Sequence, residues 1–204
     1  MTGAAQPTDD DIRYVRQLAE SGAHAPLLGG RFMAWWGILL TGAYVTHHLA
    51  LRGAIGDGKS VFGILWISFS LLGILGQVVL VRTMPAKAGA GSAGNRASGS
   101  VWLAGGMAIG SMFVGTAVAA FTGAGPATFD WIVPVAFAVY ACALIVTGAL
   151  GRNAVATGAG VGAVAMVGLF AALIQSPDRY LVAAAGIFLT VLVPGLLLLK
   201  AEPR

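Results

Sequence analysis

The chain has 204 residues, 57% of them hydrophobic and 10% charged, with a mean hydropathy of +0.83. That is more apolar sequence than a soluble core of this length absorbs, and it is the composition of a membrane protein. The net charge of +4, from 12 basic and 8 acidic residues, then reads as membrane topology rather than affinity for nucleic acid, and the single Cys142 rules out an intrachain disulfide or a cysteine metal cluster.

The N-terminal stretch is acidic and polar, the opposite of the basic-then-apolar start of a signal peptide. Thr8 followed by Asp9, Asp10 and Asp11 makes a helix start: an oxygen-bearing cap, then carboxylates at the positive end of the helix dipole. A helix over about residues 9–21 aligns Ile12, Val15, Leu18 and Ala19 in one stripe, and Gly22 ends it. Its polar face mixes charges, where a dedicated lipid-surface helix is more basic, so the stripe is read as a docking face for a protein partner. Pro26 with Gly29 and Gly30 then bends the chain into the membrane.

A bilayer core takes about 20 apolar residues per helix. Six such runs follow, over about 32–51, 61–82, 101–122, 130–150, 154–175 and 180–199, between a cytoplasmic segment 1–31 and a short cytoplasmic tail 201–204. The first run ends in His47 and His48. Neighbours on a helix point about 100° apart, so the pair does not converge on one ion, and both are read as interfacial, with a haem or metal role as the minor candidate. The next link, GAIGDGKS, fits the phosphate-loop pattern GxxxxGKS at Gly53, Gly58, Lys59 and Ser60. Membrane helices flank it where a phosphate loop needs a strand before and a soluble helix after, so it is read as a turn and no nucleotide is expected.

In the second run Gln77 is the distinctive polar group at depth, read as a hydrogen-bonding contact to a neighbouring helix. Residues 83–100, rich in Gly, Ala and Ser, suit a flexible linker. Gly106 with Gly110, and Gly158 with Gly162, form GxxxG pairs for close helix packing, within the chain or in a homodimer. Pro134 falls in the first turn of the fourth run, and Pro194 is placed to kink the sixth.

No ionisable residue lies deep in a run, which argues against coupling through a buried carboxylate. Assigning Lys and Arg to alternate sides gives nine on the side of the termini and three on the other, so both termini are expected in the cytoplasm and the chain in the cell's inner, or plasma, membrane. The expected class is an all-α polytopic membrane protein: six transmembrane helices with an N-terminal cytoplasmic amphipathic helix. The expected function is non-catalytic, a regulatory, sensory or scaffolding partner of another protein, acting through the N-terminal helix and the 83–100 loop without a cofactor. The alternative is a small, dimeric transporter or channel for a small solute.

Overall fold

The computed structural model describes residues 10, 12–13, 28–56, 59–84 and 91–202. These contain six long helices and no strand: α1 Gly30–Leu51, α2 Lys59–Arg82, α3 Ala93–Ala119, α4 Ile132–Leu150, α5 Ala154–Ala172 and α6 Arg179–Ala201. All but α1 are long and apolar enough to cross a membrane, which makes this a membrane-embedded chain. At 22 residues α1 is about 33 Å long, also enough for the hydrocarbon core. It differs in composition, carrying two tryptophans, a tyrosine, two histidines and two threonines. Asp10, Ile12 and Arg13 are helical and exposed, while Val15, Leu18 and Ala19 lie outside the described residues.

Each link has a local cause. The chain leaves α1 through Gly53 and Gly56, at φ +69° and +60°, a region that glycine enters without a Cβ penalty. The phosphate-loop look-alike therefore begins as a turn after a helix, and Asp57 and Gly58 lie outside the described residues. Ser92 caps α3, its hydroxyl accepting from the Asn95 amide at 3.2 Å, so the helix starts eight residues before the run expected from residue 101. The flexible-linker expectation for 83–100 is corrected accordingly: its second half is helix, fastened by a buried hydrogen bond of 2.8 Å between Ser98 and Thr147 of α4. At its other end α3 runs into a π-helical turn, Ala120–Ala124, and breaks at Gly123 and Gly125, both with positive φ. A 3-10 turn, Pro126–Trp131, then leads into α4, and Asn153 caps α5 by accepting from the Ala156 amide at 2.9 Å.

The core lies among α1, α4, α5 and α6, with Phe137, Leu144, Phe170 and Ile187 essentially sealed. Glycines set how closely these four approach. A Cβ on Gly37 of α1 would lie 2.7 Å from the Leu192 Cα, and one on Gly195 of α6 would lie 2.7 Å from the Ala34 nitrogen. Gly30 meets the backbone of Leu199 in the same seam, so it serves close approach as the first residue of α1, while Gly29 caps that helix and faces open space. Between α4 and α5, Gly160 sits against Ile145 and the Ala141 carbonyl, and Gly148 against Thr157.

The GxxxG glycines are placed differently. Added Cβ atoms at Gly106, Gly110 and Gly158 would meet nothing within 4 Å, and one at Gly162 would lie 3.2 Å from Thr190. Of these four, only at Gly162 would an added Cβ come within 4 Å of a neighbouring helix, because the motif fixes spacing along a helix but not which face turns inward.

Two helices lie outside the core. Only 6% of the most apolar stretch of α2, and the same share of α3, is buried, against 56% for α6. Helix α2 is attached to α1 by an aromatic seam: the rings of Trp36 and Trp35 occupy the notches at Gly73 and Gly76, and the Trp36 indole donates to Gln77 Oε1 at 2.9 Å. Position in the sequence makes both tryptophans interface anchors; in the structure they fill helix-packing notches.

Around Pro194, α6 carries a π-helical turn, Phe188–Leu192. Proline at position i removes the hydrogen bond to the carbonyl of residue i−4 and crowds that carbonyl, and a π turn is a common way for a helix to accommodate the change.

Candidate functional site

The helices run alternately up and down, so their ends gather at two opposite poles. At the first pole the Leu28 amide donates to Asn95 Oδ1 at 3.2 Å, Arg31 to the Thr83 carbonyl at 3.3 Å, and the Gly30 amide to the buried Glu202 carboxylate at 3.0 Å. Glu202 thus places negative charge on the positive end of the α1 dipole, tying the C-terminal end of α6 to the start of α1. The second pole holds the densest set of chemically capable side chains among the described residues.

There the last turns of α1 present His47, His48 and Arg52. Being adjacent in a helix, the two histidines diverge. His47 turns inward: its ring stacks on Tyr180, with centroids 3.8 Å apart and planes at 21°, and its other neighbours are Phe62 and Trp66 of α2. The Trp66 indole N–H donates to His47 Nδ1 at 3.1 Å. An indole nitrogen only donates, so Nδ1 is the acceptor and the imidazole is the neutral tautomer with its hydrogen on Nε2.

His48 points instead toward the turn before α6, with Nε2 3.8 Å from Asp178 Oδ1. The same oxygen pairs with Arg52 at 2.5 Å. Asp178 occupies the N-cap position of α6 but makes no side-chain cap bond; Ser176 shapes the turn instead, accepting the Asp178 amide on its hydroxyl at 3.2 Å and Arg179 on its carbonyl at 3.0 Å.

A second ion pair lies deeper. Asp130, at the end of the 3-10 turn, pairs through Oδ2 with Arg179 at 3.1 Å, their side chains 13% and 19% exposed, and its other oxygen accepts the Tyr180 hydroxyl. One carboxylate thereby joins the start of α4 to the start of α6. Among the described residues, the buried Arg179 Nε and His48 Nδ1 have no hydrogen-bond partner.

The two ion pairs balance in charge, and the carboxylates are each engaged by an arginine. His47 and His48 are held by separate partners on different sides of α1, so the two imidazoles do not converge on one ion. Among the described residues no group of three or more His, Cys, Asp or Glu side chains is disposed to hold a metal ion.

Sequence order brought His47 and His48 to notice but not Trp66, Asp130, Arg179 or Tyr180 as their neighbours. The available signal was the scarcity of charge: Arg52, Asp130, Asp178 and Arg179 are among the few charged residues at the helix ends that alternating topology brings to one pole.

Comparison with protein-family models, with curated proteins and with solved structures found no match to this chain.

Proposed function

We propose that this chain is a non-catalytic membrane protein that regulates or scaffolds another protein. The observation that carries the reading is the exposure of α2 and α3: the buried core is drawn from the other four helices, and only 6% of the most apolar stretch of each of these two is buried. Helices that the core does not need for its own burial are free to meet a partner within the bilayer. The outward positions Gly106 and Gly110 of α3 support this, because small residues let a second helix approach closely.

In this reading the N-terminal stripe Ile12, Val15, Leu18 and Ala19, together with the short link after α2, contacts the partner from the cytoplasm. Helix α1 is the sixth span and both termini are cytoplasmic, in the cell's inner membrane. The clustering of Arg31, Arg82, Arg96, Arg152 and Lys200 at or beside the helix ends of the first pole supports that orientation. Neither nucleotide nor nucleic acid enters the reading.

A second reading, a small transporter or channel, draws on a groove of roughly 600 Å³ between α5 and α6, bordered by Gly158, Gly162, Gly186, Thr190 and Pro194. Its wall is mostly apolar, which suits lipid better than a polar solute.

Affinity purification of the tagged full chain from native membranes in mild detergent separates the two readings. A stoichiometric co-purifying protein is expected. Recovery of the chain alone, together with solute flux after reconstitution into liposomes, would favour the transporter.

A further inference from the structure

We propose that His47 is a proton-operated clasp that holds the second-pole half of α2 against the core and releases it on acidification. His47 Nδ1 accepts the Trp66 indole hydrogen at 3.1 Å, so the imidazole hydrogen is on Nε2, and Nδ1 is the only position left for an added proton. A proton there turns the acceptor into a donor facing the indole N–H. The bond between α1 and α2 is then lost, and two donors oppose each other at hydrogen-bonding distance.

Side chains from four elements surround His47. From α1 come Tyr44, His48 and Arg52 nearby on the same helix; from α2 come the uncharged Phe62 and Trp66. From the 3-10 turn comes Asp130, and from the start of α6 come Arg179 and Tyr180, after Asp178 in the preceding turn. Asp130 is paired with Arg179 and accepts from Tyr180, while Asp178 is paired with Arg52, so both carboxylates are already compensated. A positive charge on His47 therefore adds to a balanced cluster without a free counter-ion among these groups.

What moves is set by how α2 is attached. Near the first pole it is held by the Trp35 and Trp36 rings in the Gly76 and Gly73 notches and by the bond from Trp36 to Gln77, none of which titrates near neutrality. Near the second pole its polar tie to the core is the bond from Trp66 to His47. Loss of that bond leaves this half of α2 held by ring contacts alone, Trp66 with Tyr44 and Phe62 with His47, while the tryptophan notches serve as the hinge. The clasp needs no partner on α2 to operate.

The test uses the full-length protein in detergent micelles with 15N-labelled tryptophan indoles, the Trp66 and Trp36 resonances being assigned from Trp66→Phe and Trp36→Phe variants. Between about pH 8 and about pH 3, a range wide enough to charge a buried imidazole that has no free counter-ion, the Trp66 N–H resonance is expected to shift along a single titration curve while Trp36 stays fixed. In His47→Gln, which keeps an oxygen acceptor but cannot be protonated, the Trp66 shift is expected to disappear, and in His48→Gln to persist. A Trp66 resonance that does not move in the wild-type protein overturns the clasp without recourse to any histidine variant. So does movement of Trp36 together with Trp66, which would mean a general loosening of the bundle in acid.

Discussion

Asp130 and Asp178 are both acids paired with arginines at one pole, yet they differ in what surrounds them. The pair of Asp130 with Arg179 is mostly buried, whereas Asp178 and Arg52 are each 49% exposed. Breaking a buried pair leaves an uncompensated charge and costs about 3 to 5 kcal/mol, while exposed pairs contribute about 0 to 1 kcal/mol. Asp130→Asn is therefore expected to lower stability by several times more than Asp178→Asn, measured by chemical unfolding in micelles. Equal effects would mean that water reaches the Asp130 pair as freely as the outer one. At this scale the sequence was partly legible. It identified His47 and His48 as the unusual residues and predicted their divergence, because helical geometry alone sets the angle between neighbours. It did not show what each would meet. The contacts of His47 with Trp66 and Tyr180 span 19 and 133 positions, so no local pattern records them.

Between elements, the packing rests on glycine notches rather than on the repeated motif. A side chain added at Gly37 or Gly195 would run into the backbone of the facing helix, and overpacking of this kind costs about 1 to 3 kcal/mol or more. Gly37→Leu and Gly195→Leu are thus expected to destabilise the chain or prevent its recovery as a monodisperse species. Gly106→Leu and Gly110→Leu meet open space within the chain, and are expected to leave its unfolding midpoint nearly unchanged. Sequence spacing found glycines on a common helix face, but whether that face turns to the core depends on the other helices. Gln77 was legible because a lone amide at membrane depth needs a hydrogen-bond partner, and it accepts from Trp36. The early start of α3 was not. Residues 93–100 read as linker by composition, and it took the Ser92 cap and the buried contact from Ser98 to Thr147 to make them helical.

For the whole molecule, the long apolar runs between charged links made the helices readable, and hydropathy needs no knowledge of contacts. Most boundaries fall within a few residues of the runs. The arrangement is a different matter. Hydropathy describes α2 and α3 as it does α4 and α6, yet the former pair lies outside the core and the latter is half buried. The most mixed helix, α1, is in turn one of the four that build the core. Its aromatic and polar side chains are matched to specific neighbours: Trp36 to Gln77, His47 to Trp66, and Tyr44 against both Trp66 and Tyr180. The exposed outer faces of α2 and α3 are the basis for assigning this chain a protein partner. Photo-crosslinking in native membranes tests that assignment most directly, with a photoreactive residue placed at Ile67 of α2 or Met107 of α3, both exposed, and at the sealed Leu144 as control. A discrete adduct with one other protein from either exposed position, and none from Leu144, is the predicted result. Adducts with lipid alone from both Ile67 and Met107 would contradict it.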